Sequence, residues 1–120
     1  MKTFEDYRIT IEQQEILSEQ YRQTNYAYIN AHRRIDDPDS LTYTYDLDIL
    51  LQYLNYVQRE SQRLGKDKVK IRINMGKYPE NNFDSRLNPD FLNHQTIFLN
   101  AVNEENQREE IIKEIDAMDF

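Results

Sequence analysis

A chain of 120 residues has the size of one domain, and a composition of 38% apolar and 31% charged residues with a net charge of −7 argues against a generic binder of the nucleic-acid backbone. With no cysteine there is no disulfide framework, no thiolate zinc site and no cysteine nucleophile, and no cofactor or metal is expected. The opening MKTFEDYRIT carries acids where a signal peptide needs an apolar run, and nothing later approaches the ~18 apolar residues of a spanning helix, so the expectation is a cytoplasmic protein without membrane association.

In chain order, Thr3 and Asp6 can cap an early helical start, whereas Ile9-Thr10-Ile11 reads as extended. Thr10 and Gln13 have capping-box spacing, and Leu17, Tyr21, Thr24, Tyr28 and Ala31 then fall on one stripe, which predicts an amphipathic helix over about 10–34. Asp36-Asp37-Pro38-Asp39-Ser40 stops it, because the residue before a proline is pushed out of the α region. Leu41, Tyr43 and Tyr45 alternate with Thr42 and Thr44, the pattern of a short strand.

Asp46 or Thr44 caps a second helix over 46–64, in which Leu47, Leu50, Leu51, Leu54, Val57 and Leu64 share a face and Gly65 supplies the left-handed exit. The clearest strand follows: Val69, Ile71, Ile73 and Met75 alternate with Lys70, Arg72 and Asn74, which sets one group toward a core and the other on the opposite face. The polar stretch between Tyr78 and His94 is pinned by Phe83, Leu87, Phe91 and Leu92, with Asn88-Pro89 as a cap and first-turn proline. A third β-like run, 95–102, is the natural antiparallel partner of 69–75. After it, Asn103 caps an acidic C-terminal helix over 104–120 with Ile111, Ile112, Ile115 and Met118 as its apolar stripe. The sum is a single α+β domain over 1–120. It has a sheet of about three strands, antiparallel in part, two amphipathic helices packed on it, and a C-terminal helix that docks on the domain or on a second copy.

Several short matches spread over the chain, Ile9-Thr10-Ile11-Glu12, Tyr21-Arg22, Asn25, Leu64-Gly65, Ile71-Arg72-Ile73 with Gly76, and Thr96-Ile97-Phe98-Leu99, resemble a family of small uncharacterised bacterial proteins. That resemblance implies one α+β domain and no particular chemistry.

No catalytic or metal signature stands out. Asp36, Asp37, Asp39, Asp46 and Asp48 crowd one region, but an EF-hand loop counted from Asp37 puts Thr42 where glycine is required, so turn-making and capping account for them. Gly76-Lys77 lacks the other glycine of a phosphate loop, and His32 and His94 have neither metal-motif spacing nor a serine elbow. Bases gather in Arg59, Arg63, Lys66, Lys68, Lys70 and Arg72, against the acidic 104–120 tail with seven acids and two bases.

The expected function is that of a small, non-enzymatic interaction or accessory protein that binds a protein partner or itself as a homodimer. Arg59, Arg63, Lys70, Ile111, Ile112 and Ile115 are the candidate interaction surface. The alternative is a small anionic-ligand-binding protein or enzyme, with Arg72 gripping a carboxylate or phosphate and Tyr78 or His94 donating a proton. Nucleic acid is the least expected partner, in the absence of a helix-turn-helix, zinc or RNP pattern.

Overall fold

The computed structural model describes residues 2–81, 84–86 and 88–120, in which helices combine with a four-stranded antiparallel sheet, an α+β architecture. The chain divides into two units, Met1–Leu41 and Thr42–Phe120.

In the first unit a 3-10 turn, Phe4–Tyr7, is tied by the Thr3 amide donating to Asp6, and Thr10 then caps the main helix. Thr10 Oγ1 accepts the Gln13 amide at 3.1 Å and Gln13 returns its side-chain oxygen to the Thr10 amide at 2.8 Å, so the expected capping box is formed. Helix α1 (Ile11–Tyr21) continues through a π-helical turn, Arg22–Tyr26, into α2 (Ala27–Ala31). The turn widens where the Thr24 hydroxyl donates to the Gln20 carbonyl at 2.6 Å, competing with the backbone ladder. One extra residue rotates everything downstream. The half-buried positions are therefore Tyr21, Tyr26, Ile29, Asn30 and Arg33, while Leu17 and Tyr28 of the expected stripe are exposed. The Asp-Pro connector folds back along this rotated face. Tyr26 donates to the Asp39 carbonyl at 2.7 Å, the Asp39 amide donates to Asn30 at 2.8 Å, and Arg33 donates to the Asp37 carbonyl and pairs with Asp39.

The second unit begins with a correction. Residues 42–45 join no ladder; Tyr43 and Tyr45 are half-buried and Thr42 and Thr44 exposed. Alternation identified the packed side correctly, and the packing is onto a ring instead of a strand: Phe120 meets Tyr43 and Tyr45 edge-on. Helix α3 (Leu47–Arg63) starts after Asp46 as expected and ends in a Schellman motif. There Gly65 takes φ 67°, the Lys66 amide donates to the Ser61 carbonyl and the Gly65 amide to that of Gln62.

Strands β1 (Val69–Lys77) and β2 (Gln95–Glu105) pair antiparallel, Ile73 opposite Leu99. In place of the expected C-terminal helix, β2 turns back into β3 (Arg108–Ile111), and after an interruption the chain rejoins β2 as β4 (Met118–Asp119). The reversal is a two-residue loop, Asn106 and Gln107 at φ 52° and 66°, the backbone of a type I′ turn. The interruption lets Ile112 and Ile115 drop out of the strand into the core, where they meet Tyr53 and Val57 of α3 and Leu99 and Ala101 of β2. Burying each large apolar side chain contributes about 1.5–3 kcal/mol. Tyr53 anchors the seam by donating to the Leu99 and Asp116 carbonyls at 3.2 and 3.1 Å. Expected core residue Leu54 lies on the rim, 37% exposed, because α3 turns Tyr53, Val57 and Ser61 toward the sheet.

Candidate interaction surface

β1 is an edge strand. It pairs with β2 on one side and with no other strand among the described residues. Register fixes what its free edge presents: the Tyr78 amide donates to the carbonyl of the directly opposite His94, so even-numbered residues aim their backbone groups at β2 and Val69, Ile71, Ile73, Met75 and Lys77 aim theirs outward.

The same odd-numbered residues carry the apolar face. At the Val69 end that face is roofed by α3, with a groove of about 430 Å³ lined by Leu54, Val57, Gln58, Ser61, Val69 and Ile71. Farther along the roof gives out: Ile73 is 65% exposed and Met75 70%. Leu47 and Leu51, on the same flank of α3 as Leu54 at helical spacing, are exposed as well. An apolar strip thus runs from the helix flank onto the bare end of an edge strand, and such strips mark interaction sites.

The other face of β1 is charged and already satisfied. Arg72 donates to Glu109 at 3.2 Å and Lys70 approaches the same carboxylate at 3.7 Å; before the strand, Lys66 meets Glu105 at 3.5 Å. The Arg72 hydrogen bond, followed by the Lys70 charge, holds the Glu109 carboxyl below its ordinary value. The complementarity between the basic segment and the acidic tail is therefore realised, through a hairpin and not a docked helix.

Of the expected surface residues, Arg59 is exposed and Arg63 is held by Glu60 at 3.0 Å. Ile111 is exposed, whereas Ile112 and Ile115 are core and present nothing to a partner.

The residues named for a ligand site are divided. Tyr78 and His94 are cross-strand neighbours and both buried. Arg72 lies six residues away along β1, roughly 20 Å at strand rise. Tyr78 accepts from Thr96 at 3.2 Å and donates to the Asp119 carboxylate at 3.2 Å. Burial pushes its phenol up; the Thr96 hydrogen bond pulls against that, and Asp119 adds to the rise, so Tyr78 stays a protonated donor within the sheet. Phe83 and Leu87, expected to pin the preceding loop, lie outside the described residues; Asn88 does cap the turn Pro89–Phe91, accepting the Asp90 amide at 3.0 Å.

Reading the sequence missed Ile73, Met75, Leu51 and Leu54 as surface. Alternation says which side chains share a face, and no signal within β1 says whether another element covers it. Among the described residues no helix is long and apolar enough to cross a membrane. No family model, no curated protein and no solved structure matches this chain.

Proposed function

We propose that this chain is a small non-enzymatic interaction protein that binds a protein, or itself, through the apolar face and free edge of β1. The observation that carries the reading is the exposure of Ile73 and Met75 on a strand whose outer edge pairs with no other strand among the described residues. A strand edge supplies main-chain hydrogen bonds, and alternate apolar side chains supply selectivity, which is how sheet-extending recognition works. The alternative of an anionic-ligand site finds less support, because Arg72, the group that would grip the anion, is engaged by Glu109.

The test compares complexes formed by the intact chain with those formed by Ile73→Lys and, as a control, Ile35→Lys, since Ile35 is a fully exposed apolar residue of the first unit. Complexes detected by light scattering or co-fractionation should be lost in Ile73→Lys and kept in Ile35→Lys. Complexes indifferent to Ile73→Lys would place binding elsewhere on the molecule.

A further inference from the structure

We infer that the partner at the β1 edge is a second copy of this chain, paired antiparallel strand to strand about a two-fold axis at Ile73, so that two sheets become one. This deepens the proposed function and rests on it.

The argument is one of self-complementarity. Centring the pair on Ile73 sets Ile73 against the second copy's Ile73, Ile71 against its Met75, Arg72 against its Asn74 and Lys70 against its Gly76. The apolar face becomes continuous across the join, and no base directly opposes a base. Neighbouring registers do worse. Centring on Arg72 opposes two arginines, centring on Ile71 opposes Lys70 to Arg72, and centring on Asn74 moves the lysine contact inward, setting Lys77 against Ile71 instead of the terminal Val69. Lysines on an edge ordinarily discourage pairing. Here Lys70 and Arg72 already share Glu109 on their own sheet, so the central stretch from Ile71 to Met75 brings no unpaired cation to the join.

Backbone and layer geometry agree with that register. Ile71, Ile73 and Met75 point their donors and acceptors outward, so they meet as hydrogen-bonded pairs. With α3 packed over Leu99 and Ala101 of β2, the two copies of β2 stand three strand spacings apart, about 14 Å. Packed helices need about 8–10 Å between axes, and the remaining gap is where Ile73, Met75, Leu51 and Leu54 of both copies project. Each copy thereby covers what the other leaves bare.

Because the natural chain has no cysteine, a single introduced one reports the register cleanly. At position 73 the two Cα atoms would lie about 5.5 Å apart, within disulfide reach; at position 75 they would lie about 14 Å apart, beyond it. Light scattering on the intact chain should give twice the monomer mass of 14.6 kDa, falling to that monomer mass in Ile73→Lys. Under mild oxidation Ile73→Cys should become a covalent dimer while Met75→Cys, at an equally exposed position, stays uncrosslinked. A dimer in which Met75→Cys crosslinks as readily as Ile73→Cys overturns the register. An intact chain that is monomeric throughout overturns self-pairing; if its complexes with another protein are still lost in Ile73→Lys, the proposed binding face survives. A dimer unaffected by Ile73→Lys overturns both.

Discussion

Arg72 reaches across the central strand to Glu109 at 3.2 Å, with Lys70 at 3.7 Å to the same carboxylate. Between them on β2 lies Val102, directly opposite Lys70 on one side and Ile111 on the other, and only 1% exposed.

Glu109 should accordingly titrate below the ordinary glutamate range when followed by carboxyl-carbon NMR. Its folded value is depressed relative to the unfolded chain, so its share of stability is present above the unfolded value near 4.5 and is lost as pH falls through the folded one. Replacing Arg72 by Gln should return the Glu109 titration toward its ordinary value. An unchanged titration in that variant would mean that Arg72 is not the cause.

Ile115, Ile111 and Leu54 separate core from rim. Ile115→Ala should cost about 2–5 kcal/mol in urea unfolding, since the side chain is buried against α3 and β2. Leu54→Ala and Ile111→Ala, at 37% and 51% exposure, should each cost less than about 1 kcal/mol. A loss at Ile111 equal to that at Ile115 would contradict the strand assignment, because a helix would put them on one stripe.

The β2–β3 turn stores a cost that one substitution removes. Gln107 sits at φ 66°, a region costing a non-glycine residue about 1–2 kcal/mol. Asn-Gly is the preferred pair for this turn, so Gln107→Gly should raise stability by about 0.5–1 kcal/mol, less than the full strain because glycine also gains freedom in the unfolded chain. Thermal unfolding would register this as a higher midpoint; a lower one would argue that the turn is not of this type.

The sequence by itself determined the elements whose signals are local. Thr10 with Gln13, Gly65 and Asn88-Pro89 mark ends because capping and left-handed geometry are satisfied within four or five residues of chain, and Asp46 stands at the start of α3 without a side-chain capping bond. The alternation of 69–77 likewise states its two faces. Tertiary structure decided the rest. Ile111, Ile112 and Ile115 have helical spacing, and only their pairing with β2 and the hole between Tyr53 and Ala101 turned them into strand and core. The Asn106-Gln107 reversal lacks the glycine that usually announces it, so the hairpin is settled by the pairing of β2 with β3 and not by a turn signal. Whether Ile73 and Met75 face a core or a partner depends on where α3 ends its cover, a quantity set by the packing of Tyr53, Val57 and Leu99 and written nowhere in the strand.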